Sequence, residues 1–185
     1  MSDWKTLGSR IAYDNPWIRV HEDQAINPVG EQTMYGYVES KNDSVYVVPV
    51  DEDFNTYIIQ LFRYPARRKC WECVAGRINN GESAEAAARR ELLEETGLRT
   101  KTVTELGVIR PASGISTFRS IVYIAQDIEK ITDKIDVADG IFKVQKLSLA
   151  KARSKILAGE IQCSESIAAL LMTIAHLEQQ AIIIK

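Results

Sequence analysis

Short apolar and polar runs alternate along residues 10–39, where β-like stretches at 18–21 and 34–39 are separated by the turn signal Asn27-Pro28-Val29-Gly30. This pattern predicts a hairpin-rich N-terminal unit. Asn42 and Asp43 interrupt it, after which residues 44–49 and 56–63 read as two strands joined through the turn-forming stretch 51–55. Residues 65–69 then read as a loop, 70–75 as a short strand, and 76–82 as a second loop rich in Gly and Asn.

A helix is expected next. Ser83 is a suitable N-cap, Glu85 suits the positive end of the helix dipole, the interior from Ala86 to Glu95 has high helical propensity, and Gly97 can close the C-terminus. Residues 103–110, 119–125 and 142–147 predict further strands, the first two separated by Pro111-Ala112-Ser113-Gly114. Ser148 can cap a helix ending near Gly159, and Ser164 an amphipathic one reaching about Gln179. Residues 181–185 carry no clear assignment.

The 185 residues suffice for one main domain with a core and a small appendage. With 45% hydrophobic and 26% charged residues, the chain has the composition of a globular protein. Its 23 basic residues against 25 acidic ones leave no excess positive charge for a polynucleotide, so a small-molecule substrate is expected and no nucleic acid. The longest apolar runs fall well short of the ~20 residues that span a bilayer, and the first residues lack the apolar core of a signal peptide. The expectation is a cytoplasmic protein with no membrane partner.

Cys70, Cys73 and Cys163 do not suggest a disulfide framework. Cys70 and Cys73 form a lone CxxC, but on a strand residues three apart point to opposite faces, and neither a second CxxC nor a histidine pair completes a zinc site. His21 and His176 add nothing on their own.

The predicted helix carries an unusual acidic edge. Glu91 lies three and four residues before Glu94 and Glu95, so the three carboxylates share one side and repel, an effect that Arg90, one turn before Glu94, offsets only in part. Such an edge alone is commonly a solvated face. It is also the arrangement that gathers hard cations, since Mg²⁺ takes oxygen ligands and bridges carboxylates to phosphates. The glycine-containing loop just before the helix favours the second reading, because N–H groups and the helix dipole there attract phosphate.

Gly76, Glu82, Arg90-Glu91-Leu92, Glu94-Glu95 and Gly97-Leu98 together resemble the complete Nudix box, GX5EX7REUXEEXGU with U aliphatic. The resemblance implies an α/β Nudix fold, a mixed β-sheet sandwiched between α-helices. It implies a Mg²⁺-dependent hydrolase, with Mn²⁺ as a possible substitute, that attacks a nucleoside diphosphate linked to another moiety. Glu91, Glu94, Glu95 and the carbonyl of Ala75 would hold the metal. Arg90 would orient those carboxylates, Glu82 would support them from the loop, and Gly76 would give the turn its freedom beside the bound substrate.

Gln60 to Pro65, Trp71-Glu72, Ala75-Gly76 and the stretch from Ser164 to Leu170 are similar to the ADP-ribose pyrophosphatase branch. That likeness implies a small N-terminal β subdomain, here 1–42, for dimerisation and base binding, followed by a hydrolase domain over 43–185. It also implies a homodimer in which aromatic residues of the subdomain sandwich adenine. Trp17 and Tyr35 fit that role, although packing of a β unit would explain them equally. Arg63 stands where the family places a phosphate-binding arginine; Arg67, Arg68 and Lys69 beside it read equally as a solvated loop. After the box, residues 111–119 lack the acidic residue many members carry, so the general base is sought in residues 133–140, with Asp139 favoured over Asp136. ADP-ribose or a related ADP-sugar is the expected substrate. A GDP-mannose-type substrate, a non-catalytic nucleotide-binding module and an RNA-end enzyme are the alternatives.

Overall fold

The computed structural model describes residues 3–135 and 140–180. The chain divides into two units, one formed by the residues up to Asp43 with Arg110–Arg119, the other by Ser44–Ile109 and the chain from Ser120 onward.

The first unit is an antiparallel sheet of β1 (Lys5–Asp14), β2 (Ile18–Ile26) and β3 (Gln32–Ser40) in that order. Asn15 sets the first turn, its Oδ1 accepting from the backbone N–H groups of Trp17 and Ile18 at 2.8 Å each. Asn27 sets the second in the same way, accepting from Val29 and Glu31. Both turns use the asparagine carbonyl in place of a backbone acceptor. Segment 110–119 joins this unit through a bridge between Val38 and Ser116 and a 2.5 Å hydrogen bond from the Tyr35 hydroxyl to the Gly114 carbonyl. Strand β1 is absent from the sequence expectation, which starts its β runs later. All ten of its residues are exposed, and its alternate apolar positions Leu7, Ile11 and Tyr13 are interrupted at Ser9, so the period-two pattern by which strands are recognised is broken.

In chain order the second unit holds β4 (Ser44–Pro49), β5 (Asn55–Arg63), β6 (Arg68–Glu72), β7 (Val74–Arg77), α1 (Ala84–Thr96), β8 (Leu98–Ile109), β9 (Ser120–Lys130), β10 (Ile141–Ser148), α2 (Leu149–Leu157) and α3 (Ser164–Gln179). One sheet has the order β7-β4-β9-β8 and is mixed, since β4 and β9 run parallel; the other has the order β10-β5-β6. Strand β4 is buried on both faces. Val45 and Val47 pack with Ala87, Ala88 and Leu92 of α1, whereas Tyr46 and Val48 pack with Leu170, Ile174 and Leu177 of α3. Its near-continuous apolar run follows from this double burial. Truncating a fully buried side chain such as Leu92 or Leu170 to alanine costs about 2–5 kcal/mol. The layered mixed α/β arrangement is the expected one.

Residues 70–75 do not form one strand. Glu72 pairs with Ile59 on β5, while Val74 pairs with Val47 on β4, so the chain changes sheets at Cys73. Cys73 is buried there, and its N–H donates to Ser166 Oγ at 3.0 Å. Burial pushes its thiol pKa up. The start of α3 also differs by one residue: Cys163 is the N-cap, and Ser164 is already helical with its hydroxyl donating to Glu165.

Candidate active site

Helix α1 begins and ends where its caps dictate. Ser83 Oγ accepts from the Ala86 N–H at 3.1 Å, and Gly97, in the left-handed region at φ 69°, donates to the Leu93 carbonyl at 2.8 Å. A side chain at 97 would also collide with the Thr132 carbonyl, which lies 2.0 Å from the position of a Cβ. With Ala87, Ala88 and Leu92 turned into the core, Glu91 and Glu95 are carried inward and keep only 7% and 3% of their surface exposed. Glu94, on the outer side of the same edge, remains exposed.

Arg90 holds this edge together. Its Nε and Nη2 donate to the two Glu82 oxygens at 2.9 and 3.0 Å, its Nη1 donates to Glu91 at 2.7 Å and Glu94 at 3.0 Å, and Nη2 also reaches the Arg77 carbonyl at 2.9 Å. The fixed fork of the guanidinium suits these divergent contacts, which a lysine could not reproduce. Hydrogen bonding to Arg90, with a further bond from the Asn79 N–H, lowers the Glu82 pKa from the ordinary 4.5 to about 2. Arg90 is correspondingly raised, chiefly by Glu82.

Strand β7 supplies the other wall. The Ala75 N–H donates to Glu95 Oε2 at 3.0 Å. A Cβ on Gly76 would come within 1.8 Å of Glu91 Oε1, so a carboxylate lies where any side chain would stand. This corrects the expected role of Gly76. The residue lies within β7 opposite Val45, and the close approach of Glu91 requires glycine there, not the freedom of a turn. The N–H groups of Asn79 and Glu82 in the following loop are engaged inside that loop.

Glu82, Glu91 and Glu94 thus share one guanidinium, while Glu95 is held by the Ala75 N–H, and Glu91 and Glu95 are nearly buried. Among the described residues no three acidic, His or Cys side chains already converge as a metal-ligand set, because Arg90 Nη1 sits between Glu91 and Glu94. The donor set still fits a hard divalent cation: it offers only oxygen atoms, and its negative charge exceeds what Arg90 neutralises.

Arg63 is found in a bidentate pair, with Nε and Nη2 on the Glu72 carboxylate at 2.9 and 2.6 Å. The Glu72 side chain is 4% exposed, and this pairing raises the Arg63 pKa. The partner was not visible in the sequence because the two residues meet only through the β5–β6 pairing. In the loop beside it, Arg67 lies over the Tyr64 ring at 3.8 Å and Lys69 over Phe142 at 4.2 Å.

Trp17 and Tyr35 are far apart within the first unit. The Trp17 carbonyl accepts from the Lys41 N–H, while Tyr35 lies opposite Asp23. Six strand residues separate Trp17 from Asp23, a span of roughly 20 Å at ~3.3 Å per residue. The ring beside Tyr35 is Trp4, edge-on at 5.1 Å and 78°. Trp4 is not among the residues the sequence singles out, although an aromatic residue among mostly polar N-terminal positions was the available signal. Asp139 and Asp136 lie outside the described residues.

Among the described residues no helix is long and apolar enough to cross a membrane. Compared with known proteins, residues 40–159 match the family model described as the NUDIX domain, and residues 4–38 match that of the nucleoside diphosphate sugar hydrolase N-terminal domain. The chain is 28% identical over 176 residues to an ADP-ribose pyrophosphatase of Mycobacterium tuberculosis, covering 91% of this chain and 82% of the relative. It is 24% identical over 158 residues to an ADP-ribose pyrophosphatase of Bacillus subtilis, covering 85% of each. In fold it is similar to a solved structure described as an ADP compounds hydrolase, with a TM-score of 0.87, 19% identity, and coverage of 99% of this chain and 98% of that one.

Proposed function

The chain belongs to the NUDIX domain family and is a Nudix hydrolase, and from that premise we propose that it cleaves the pyrophosphate of ADP-ribose or a related ADP-sugar with the help of Mg²⁺. The observation that carries the reading is the acidic cluster on α1, ordered by Arg90 and fitted against Gly76. The nucleoside monophosphate and the sugar phosphate would be the products. The choice of an ADP-sugar is supported by the named relatives and by the match of residues 4–38.

Glu91, Glu94, Glu95 and the Ala75 carbonyl would hold the cation, with Mn²⁺ as a substitute. When bound it would supply charge neutralisation on the phosphates and a more acidic water. The chain's own residues prepare the geometry. Arg90 fixes the rotamers of Glu91 and Glu94, the Ala75 N–H fixes Glu95, and Glu72 holds the Arg63 guanidinium so that Nη1 can meet a phosphate oxygen. In the reaction a water oxygen bonds to one phosphorus as the bridging P–O bond breaks, and the proton of the water passes to a carboxylate or to solvent.

Because Trp17 and Tyr35 of one chain lie roughly 20 Å apart at ~3.3 Å per strand residue, one base cannot rest between them without a second copy. We therefore assign the active species as a homodimer, with the residues up to Asn42 as its base-binding and dimerising part. The deciding experiment is a Mg²⁺-dependent hydrolysis panel of ADP-ribose, GDP-mannose, other nucleotide sugars and nucleoside triphosphates with products identified. Highest kcat/KM on ADP-ribose is expected; absence of turnover on every nucleotide sugar would refute the assignment.

A further inference from the structure

A cleft of about 300 Å³ lies between β6 and the connection from α2 to α3, with Gln60, Arg68, Lys69, Trp71, Glu160 and Gln162 among its walls. Its volume reaches the lower end of the roughly 300–1,000 Å³ of small-molecule sites. Strand β6 is at the edge of its sheet, and the Arg68 guanidinium ties it to the connection by donating to Gln162 Oε1. Arg63, Glu72 and the α1 carboxylates do not line this cleft, so it is separate from the site of pyrophosphate chemistry.

The walls are rich in donors and poor in acceptors. Among the described residues neither Arg68 nor Lys69 pairs with a carboxylate: Arg68 has the neutral Gln162 amide, and the Lys69 ammonium lies over the Phe142 ring at 4.2 Å. Glu160, the one carboxylate among the described wall residues, is paired with Lys155. By contrast Arg63, the cross-strand partner of Arg68, has its own carboxylate in Glu72. Two adjacent cations are thus left without an anion, and their mutual repulsion favours one brought from outside. Gln60 stands opposite Trp71 across the strands, and neither the Gln60 side-chain amide nor the Trp71 indole N–H has a hydrogen-bond partner among the described residues. The Trp71 ring is half-buried against the core, which makes it a fixed wall.

We propose that this cleft binds a phosphate monoester of a small hydroxylated molecule, a sugar phosphate in type, with Arg68 and Lys69 on the phosphate and Gln60 and Trp71 on the hydroxylated part. Guanidinium and ammonium side by side suit a phosphate dianion. An amide that both donates and accepts suits hydroxyl groups, and an indole offers a flat apolar surface with one polar edge. The site needs no metal and does not depend on which nucleotide is cleaved.

The test measures binding to the full chain in EDTA, which keeps divalent cations from the α1 carboxylates. Glucose 6-phosphate, inorganic phosphate, glucose and a hexaglutamate peptide are each titrated calorimetrically. Glucose 6-phosphate should bind with a Kd below about 1 mM. Inorganic phosphate should bind about tenfold more weakly, for want of the contacts to Gln60 and Trp71, and glucose and the peptide should not bind. Arg68→Gln combined with Lys69→Gln, both on exposed side chains, should weaken glucose 6-phosphate about tenfold or more while Glu94→Gln with Glu95→Gln leaves it unchanged. Cys70, which also lines the cleft, reports the location: glucose 6-phosphate should slow its alkylation by iodoacetamide severalfold, read peptide by peptide in a mass spectrometer, and leave that of Cys163 unaltered. No binding of glucose 6-phosphate, binding that survives the Arg68 and Lys69 changes, binding without protection of Cys70, or equal protection of Cys163 would each overturn the proposal. So would hexaglutamate binding as tightly as glucose 6-phosphate, which would make the edge of β6 a place for an acidic strand instead.

Discussion

Around α1 the chain buries charge, whereas across β1 and its turns it exposes aromatic and aliphatic side chains. Glu91 and Glu95 are nearly inaccessible, and their edge is ordered by Arg90 and the Ala75 N–H. Trp4, Leu7, Ile11, Tyr13 and Trp17 are each about half exposed. The contrast suits the two tasks proposed above. Chemistry on a pyrophosphate needs oxygen atoms held at fixed positions, which demands internal hydrogen bonds. Recognition of a base or of a second chain needs apolar surface left uncovered until the partner arrives.

If that division is right, changes near α1 act on kcat or stability and changes in the N-terminal sheet act on KM. The largest effect is expected from Glu94→Gln combined with Glu95→Gln: kcat should fall by at least ~10³-fold, beyond the roughly 10–100-fold typical of residues that merely support a ligand, while thermal melting stays close to that of the parent. Retained turnover would break the comparison at its first term. Arg63→Met should cost about 3 kcal/mol in denaturant unfolding, because it strands the buried Glu72 carboxylate. Gly76→Ala should cost about 1–3 kcal/mol by overpacking against Glu91; adding Glu91→Ala should restore stability without restoring activity.

In the N-terminal sheet, Trp17→Ala and Tyr35→Ala should each raise KM for ADP-ribose about tenfold with kcat unchanged, as base stacking worth about 1–3 kcal/mol requires. A fall in kcat alone would merge the two regions. The smallest effect concerns acid stability. Since the Glu82 pKa is lowered from 4.5 to about 2, its contribution is complete above pH 4.5 and is lost as pH falls toward about 2. Glu82→Gln should flatten the decline in that window, read by unfolding at a series of pH values.

The sequence revealed the two regions unequally. Helix α1 was legible because its caps, propensity and carboxylate spacing are local, and β4 because burial on both faces leaves an unbroken apolar run. Strand β1 was not, since Gly8, Ser9 and Arg10 break the alternation of Leu7, Ile11 and Tyr13 and no face of it is buried. The sheet change at Cys73 and the pairing of Arg63 with Glu72 depend on which strands become neighbours, which no local window encodes. Gly76 was recognised as essential but assigned the wrong reason, because the atom that excludes a side chain there belongs to a residue on a separate element.

That contact also bears on how the site assembles. In a sheet, slipping one strand by a single residue replaces each side chain by its neighbour and turns it to the other face. Were β7 to pair with β4 one position away, Ala75 or Arg77 would stand where Gly76 now lies, and its Cβ would strike the Glu91 carboxylate. The absence of a single methyl group therefore acts as a key for strand alignment: α1 can close over β7 in one register only, and the register that admits the helix is the one that brings Ala75 against Glu95.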